Sequence, residues 1–577
     1  MKRLIKSHKI VRQMTIIMSF FLLSLIYISV SIKNGYIMVG SDRMFHLERM
    51  EEAYQTLKNG HIISYISTYS FARIGQAINI FYPSLNLVFY AFIHIFVKNE
   101  IYTFYLFMFL EQFIGLIISF YSGKIILKNV KAAYLFAITL RFSSYILYND
   151  FARCDIGESW ALLFVPMVLA GLYMIMKYNS AEGKLILAIG LILELSCHIL
   201  TTLITIVFVV GCYIVYFLFE SKNLQKFYSL VISGILFILG SLFITVPIIN
   251  TMLVTKINKP DINVFNSYNL SMSTLLSNSL NNELSLDTPN IGLVLVIVLT
   301  IGFVFLKREN KLMNYLYFSS LFLIIMVTNL FPWNLFSKTP LTIIQFPWRL
   351  LIIIVILLSL YFAGLAIERN FSLKSIILIL ILILSITLGA QYRFINEQNS
   401  DYKTAQNYKN IQNGWGVLLD KDSIKETKSK NMINSFSSRS LDYFPESSVS
   451  QNNDIFEHKV SINSDKRTLK NNQIVSDYQS ITYKLHTSSK NQSISLPFLI
   501  YNKNNYRLYQ NGKKVNFKVT QSSIVSVKKP KGIKNVQYKI KFNTPILWKV
   551  ANYISLFTFI FLISMLVYLI RGKRTAS

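Results

Sequence analysis

Acidic residues are scarce: 28 Asp and Glu stand against 58 Lys and Arg, and charged residues of either sign fill only 15% of the 577 positions. Cysteine is scarcer still. The three present, Cys154, Cys197 and Cys212, lie in or beside apolar segments with neither metal-ligand spacing nor even pairing, which excludes a disulfide framework. No P-loop, Rossmann fingerprint or zinc pattern occurs, so a site built for intracellular nucleotides is not expected, and no nucleic acid partner is implied.

What the sequence has in excess is apolar residues, 53% of the chain. They come in runs of about 16 to 24, the length of membrane helices rather than of amphipathic segments. The first run, 14–32, is longer than a signal-peptide core and no small-residue cleavage site follows it, so it reads as a retained helix. Cytoplasmic loops are enriched in Lys and Arg. The basic segments MKRLIKSHKIVRQ, GKIILKNVK, MKYNSAEGK, ESKNLQK, KREN, ERNFSLK and RGKR are therefore expected inside.

That assignment sends GSDRMFHLERMEEA, YNDFARCDIGES, SCHIL, the Asn-rich stretch 250–290 and FPWNLFSKTPLTIIQFPWR to the outer face. It holds only if 81–97, a marginal apolar run with Pro83 near its start, is re-entrant or interfacial. The expected fold is a polytopic α-helical membrane protein of about twelve spans with both termini cytoplasmic. A transmembrane domain is expected over 1–390, an extracytoplasmic β-rich domain over 391–545, and a last helix with a basic tail over 546–577. Short alternating runs such as SITYKLH, YRLYQ and VQYKIKF, with an NGKK turn, carry the antiparallel β reading; the Asn-, Ser- and Lys-rich part before them reads as loops.

Three outer segments carry the candidate chemistry. If the first is helical from Asp42, then Asp42, Phe45, His46 and Arg49 share one face, and Leu47, Met50, Tyr54 and Leu57 form an apolar stripe that could lie along the membrane surface. The plainer explanation is that Ser41 caps the helix and Asp42 complements its dipole, worth about 0.3 to 1 kcal/mol. The second segment places Arg153, Asp155 and Glu158 just before a span, where ion pairing or dipole effects would also account for them. Two acidic clusters on one face are harder to dismiss, because ionisable groups at membrane depth cost several kcal/mol unless they face a polar cavity. In the third, Arg349 stands at the outer end of a span, against the positive-inside bias, approached by Gln345, Pro347 and Trp348. A lipid phosphate suits its guanidinium; headgroup snorkelling is the alternative. His198, amid an apolar stretch with Glu194 nearby, marks a hairpin tip or a buried polar group.

In their order along the chain, GSD with Phe45 and His46, then R.D.GE, CHILT and QFPWR resemble the motifs of YfhO-type bacterial membrane proteins, a family labelled as pyruvoyl-tetrahydropterin synthase-related although nothing here looks like a pterin enzyme. The resemblance covers most of the chain, including LPFLIYNKNNYRLYQNGKKV in the outer β domain. Such proteins are similar to GT-C glycosyltransferases, bundles of spans with a catalytic Asp in the first outer loop that use polyprenyl-phosphate sugars. The resemblance implies Asp42 as catalytic carboxylate, Asp155 and Glu158 as the second acidic cluster, and Arg349 as a ligand of the donor phosphate. His46, Arg153, His198 and Gln345 extend that set to substrate binding. The chain departs from the family pattern in its single Asp42 after Ser41 and in Asp-Ile-Gly-Glu where a tight Asp-x-Asp is usual. A divalent cation on Asp42 and Asp155 is compatible with the spacing and not required by it.

The expected function is transfer of a sugar from a polyprenyl-phosphate donor to an extracytoplasmic acceptor, by single displacement with inversion, in the bacterial cell membrane. Residues 391–544 hold 25 Lys and Arg against 11 Asp and Glu, which suits an anionic envelope polymer such as teichoic acid, although basic surfaces are general in this chain. A flippase for lipid-linked glycans is the alternative from another class, and would carry ionisable residues deep in its spans. A noncatalytic envelope-assembly partner acting through the β domain is the third.

Overall fold

The computed structural model describes residues 2–35, 37, 40–258, 270–405, 439–463, 465–488, 492–529, 531–532 and 534–575. Most of the segment expected as loops before the β strands, and part of the Asn-rich stretch, fall outside them. Among the described residues, eight helices are long and apolar enough to cross a membrane, from Ile199–Phe219 with 21 residues to Glu100–Leu127 with 28. At 1.5 Å per residue even the shortest of these covers about 31 Å, the thickness of a bilayer's hydrocarbon core. A ninth arises if Leu224–Gly240 and Leu242–Met252, bent by 70°, act as one span. The protein is a multi-pass membrane protein.

The expected count of about twelve is reached only by adding Ala181–Leu195, Leu293–Phe305 and Lys311–Val327. These reach about 20 to 26 Å, short of a full crossing when taken alone. The segment 81–97 holds the 10-residue helix Leu87–Phe96, about half a bilayer in length. Burial sorts the spans: 89% of the Pro347–Glu368 window is buried inside the protein, against 11% for Ile546–Gly572. The former is the axis of the bundle and the latter lies at its edge.

Before that last helix the chain forms two five-stranded antiparallel sheets. One runs β2 (Asp465–Thr468), β1 (Lys459–Ile462), β5 (Gln492–Leu499), β9 (Ile524–Lys529) and β8 (Lys518–Val519). The other runs β3 (Ile474–Asp477), β4 (Ser480–His486), β10 (Asn535–Phe542), β6 (Tyr506–Gln510) and β7 (Lys513–Val515). Alternate residues of β10, Val536, Tyr538, Ile540 and Phe542, are buried while Gln537 and Lys541 are exposed, as the period-2 pattern requires. The helix Leu373–Ala405 continues 15 residues beyond Ala390, so the described β structure starts well after the compositional change that marks residue 391.

The sheets share their core with the membrane part. Tyr65, Ile74, Ile80 and Phe81, from the loop after the second helix, are buried in one cluster with Val460, Ile481, Leu496, Phe498 and Trp548. Gly75 allows this seam to close: it adopts φ +74°, and a side chain there would run into the Phe498 ring. The candidate residues described next and the β domain occupy the same end of the helical bundle.

Candidate functional site

The helix Arg43–Lys58 begins immediately after Asp42, which occupies its N-cap position but makes no side-chain capping hydrogen bond. The expected capping by Ser41 is not observed, because Asp42 itself holds the N-cap position; its carboxylate stands at the positive end of the helix without capping it. The Asp42 carboxylate turns instead to the second motif, with Oδ2 3.1 Å from Arg153 Nη2. The two motifs are also joined through backbone: Asp42 N–H donates to the Arg153 carbonyl at 2.9 Å. Gly40 is required for this approach, because a Cβ there would stand 2.7 Å from the Arg153 carbonyl oxygen and from Cys154 Cβ.

The second motif is shaped by a π-helical turn, Tyr148–Arg153, ending on a left-handed Cys154 at φ +58°. Single π turns often occur at functional sites. Here the turn re-aims Arg153, and Asp155 then caps the next helix, Ile156–Leu162, by accepting from Glu158 N–H. Arg153 is the hub of the site. Besides Asp42 it contacts Asp155 Oδ2 at 2.8 Å, Glu158 Oε2 at 2.9 Å and Asn149 Oδ1 at 2.9 Å.

Both Asp155 oxygens are taken, since Oδ1 also accepts from the Tyr82 hydroxyl at 2.9 Å and meets His46 Nε2 at 3.2 Å. Burial acts to raise the Asp155 carboxyl, but Arg153 and the hydrogen bond from His46 hold it well below the usual carboxylate range. Gly157 admits Tyr82, because a side chain at that position would collide with the phenol. Burial lowers the pKa of His46, whose Nδ1 lies 3.3 Å from Arg49 Nη1. The neutral ring with Nε2–H donating to Asp155 and Nδ1 accepting from Arg49 satisfies both contacts. Arg49 is fixed in turn by the Pro83 carbonyl at 2.6 Å and by the Tyr82 ring, 3.9 Å from its guanidinium carbon.

Glu158 is fully buried and takes a hydrogen bond from the Tyr145 hydroxyl at 2.7 Å. Arg349 Nε lies 3.6 Å from its Oε2, and Arg349 Nη1 donates to Gln345 Oε1 at 2.6 Å and to the Ile344 carbonyl at 3.2 Å. Trp348 sits beneath both cations, its ring 4.9 Å from Arg153 and 5.9 Å from Arg349. His198 is the tip of the hairpin between Ala181–Leu195 and Ile199–Phe219, and its Nδ1 caps the second helix by accepting from Thr201 N–H. Its ring is 5.4 Å from Tyr82, and burial lowers its pKa to about 4. Its first observed role is structural, at the border of the cluster.

All eight residues singled out from the sequence thus converge. Asp42 is the accessible carboxylate, with 31% of its side chain exposed against 4% for Asp155 and none for Glu158. Burial raises its pKa, opposed mainly by Arg153. The sequence reading missed the site roles of Tyr82, Tyr145 and Asn149. It also missed a contact network inside the bundle, where Arg141 meets Glu111 at 3.1 Å and Gln112 at 2.8 Å, and Tyr27 donates to Asp150. Arg49 had the i+7 spacing from Asp42 as its signal; Tyr82 had none, because it lies in an apolar run.

The arrangement does not fit a cation on Asp42 and Asp155. Arg153 stands between them, both Asp155 oxygens are engaged, and among the described residues no group of three or more His, Cys, Asp or Glu is arranged to hold a metal.

No family model matches the sequence. A protein of Lactococcus lactis subsp. cremoris (strain MG1363), described as uncharacterized, is 30% identical over 197 residues, 33% of this chain and 32% of that one. ArnT from Cupriavidus metallidurans, solved bound to undecaprenyl phosphate, is similar over 70% of this chain and 66% of its own at 13% identity, with a TM-score of 0.37. The chain spans about a third of the first relative and just under two thirds of the second.

Proposed function

We propose that the protein is a GT-C-type membrane glycosyltransferase of the YfhO type, moving a sugar from a polyprenyl-phosphate donor to a hydroxyl of an extracytoplasmic acceptor. The observation that carries this reading is Asp42: an accessible carboxylate released from capping its own helix, held on Arg153, and grouped with Arg349 at the start of a central span. The basic loops named above support an outer-face position for this end of the bundle, where no nucleotide sugar is available and a donor must arrive in the bilayer. Both termini are then cytoplasmic.

In the reaction, the acceptor oxygen forms a bond to the anomeric carbon as the bond from that carbon to the phosphate oxygen breaks. The electron pair leaves on the lipid phosphate and the acceptor proton passes to Asp42, which acts as general base. Arg349 binds the phosphate and meets its growing charge; its buried Nε has no hydrogen-bond partner among the described residues. Arg153, shared among three carboxylates, fixes Asp42 and Asp155 in place. Asp155 and Glu158 balance the two guanidinium groups, and His46 orients Asp155. Gln345 holds Arg349 for the phosphate, and His198 completes the wall behind Tyr82. The Lys-rich β domain suits an anionic envelope polymer such as teichoic acid as acceptor.

Asp42→Asn should abolish sugar incorporation in reconstituted membranes while the protein keeps its thermal transition; undiminished transfer by that variant refutes the assignment. One observation favours the flippase reading, the charged Glu111–Arg141 pair inside the spans. Its side chains are only 1–2% exposed, and Arg141 packs tightly against Gly115, so the pair acts as a clamp between helices. Glycan translocation that survives in Asp42→Asn would support the flippase instead.

A further inference from the structure

The membrane part does not complete the surroundings of Asp42. The segment 440–445, which leads into the β domain, is fastened over the same end of the bundle. Gln76 Nε2 donates to the carbonyls of Ser440 and Asp442 at 3.0 and 2.8 Å, and Asn258 pairs through its backbone with Tyr443 and Phe444. The Tyr501 hydroxyl donates to the Tyr443 carbonyl at 2.8 Å. Under these restraints Tyr443 adopts φ +63°, a left-handed conformation that L side chains disfavour. Backbone strain of this kind persists where the surroundings over-determine it.

The consequence is the position of two side chains. The Tyr443 ring lies parallel to Phe81, with centroids 5.3 Å apart and planes 8° apart. Phe81 precedes Tyr82, whose hydroxyl donates to Asp155 at 2.9 Å, so the Tyr443 ring stands beside the site. Next to it, burial raises the half-buried Asp442 carboxyl, opposed by a hydrogen bond with Ser440 and aided by the charge of Asp42. In a domain where cations outnumber acids by more than two to one, Asp442 pairs with no Lys or Arg among the described residues.

We propose that Asp442 and Tyr443 form the acceptor-side wall of the Asp42 site, and that the acceptor unit seated there is an uncharged polyol or sugar hydroxyl. This rests on the transferase reading. In that reading Arg349 takes the donor phosphate at the bundle axis, so the acceptor approaches from the opposite side of the transferred sugar, toward the accessible Asp42 at the end of the bundle where segment 440–445 is fastened. Two neighbouring carboxylates repel a phosphate and accept hydrogen bonds from hydroxyls. A phosphate-bearing polymer would then place its neutral carbons and hydroxyls at the seam and its phosphates on lysines away from it.

The test uses the full-length protein in lipid nanodiscs and two probes measured separately: undecaprenyl phosphate and a synthetic poly(glycerol phosphate) oligomer. Tyr443→Phe, which keeps the ring on Phe81, and Asp442→Asn should each weaken oligomer binding by about fivefold, the value of one hydrogen bond of roughly 1 kcal/mol, and leave undecaprenyl phosphate binding unchanged. Asp442→Lys should weaken the oligomer further. Tighter oligomer binding by Asp442→Lys, equal loss of both probes, no change with any variant, or no oligomer binding by the wild type would each overturn the proposal. Transfer undiminished in Asp42→Asn would instead refute the transferase reading, independently of these binding results.

Discussion

At the residue scale, the decisive arrangement is one cation among three carboxylates. Arg153 contacts Asp42, Asp155 and Glu158 at 2.8 to 3.1 Å, and the last two are buried with it. Removing one partner of a buried ion pair costs about 3 to 5 kcal/mol because the remaining charges are left without compensation. Arg153→Met should therefore lower the thermal transition of the reconstituted protein and abolish transfer, whereas Asp42→Asn, at the accessible edge, should remove transfer with little change in the transition. Calorimetry on both variants separates the two effects. With Asp42 as the proposed general base, transfer should depend on pH. A general base works only when deprotonated, and burial raises the Asp42 pKa above its ordinary value. Activity should be present at neutral pH and fall as the pH drops through that raised pKa, measured as kcat/KM against pH. Replacing Arg153 by Lys, a point charge without the fork geometry, should move that acid limb to higher pH if the protein folds.

At the scale of elements, the helix Arg43–Lys58 departs from its expected setting. Of the stripe Leu47, Met50, Tyr54 and Leu57, the first two are fully buried in the core of the helical bundle and the last two are half-buried, so it does not lie open along a membrane surface. The opposite side is also engaged, because Glu52 accepts from the backbone N–H groups of Thr68, Tyr69 and Ser70, and Glu48 accepts from that of Phe71. These acids tie the site helix to the loop that packs against the β domain. Periodicity showed that the helix has two kinds of face but not that both would be covered. The connection between Gly40 and residues 153–154 belongs to this scale as well. Gly40→Ala should displace the Asp42 turn from the π-helical turn and reduce transfer by about tenfold or more, as a misplacement of about 1 Å can, with the helical content by circular dichroism unchanged.

At the scale of the whole molecule, the membrane part and the β domain share one core. Phe498 is fully buried in it, against Gly75 of the loop that follows the site helix. Phe498→Ala should cost about 3 to 5 kcal/mol, and because its cavity opens at the seam it should lower transfer as well as the unfolding temperature. A variant with normal transfer and a separately melting β domain would show that the two parts are not coupled. Much of the architecture was legible beforehand: apolar runs marked the long spans, and alternation marked β4, β6 and β10. The number of crossings was less so, since helices such as Lys311–Val327 are apolar enough for a membrane but shorter than its core.

The sequence by itself determined which segments are apolar over a bilayer's length, which alternate as strands, and which ionisable residues stand out against an apolar background, because these are properties of composition and local period. It singled out Asp42, Arg153, Asp155, Glu158 and Arg349 for that reason. Tertiary structure decided that they meet, since Asp42 and Arg349 are more than 300 positions apart and only the packing of the first loop, the π-helical turn and the axial span brings them to one end of the bundle. It also decided what no local pattern encodes: that Tyr82 reaches Asp155 over Gly157, that the Asp42 carboxylate pairs with Arg153 instead of capping its own helix, and that a left-handed Tyr443 stacks on Phe81. Those contacts depend on distances between segments remote in the chain, which composition and periodicity do not carry.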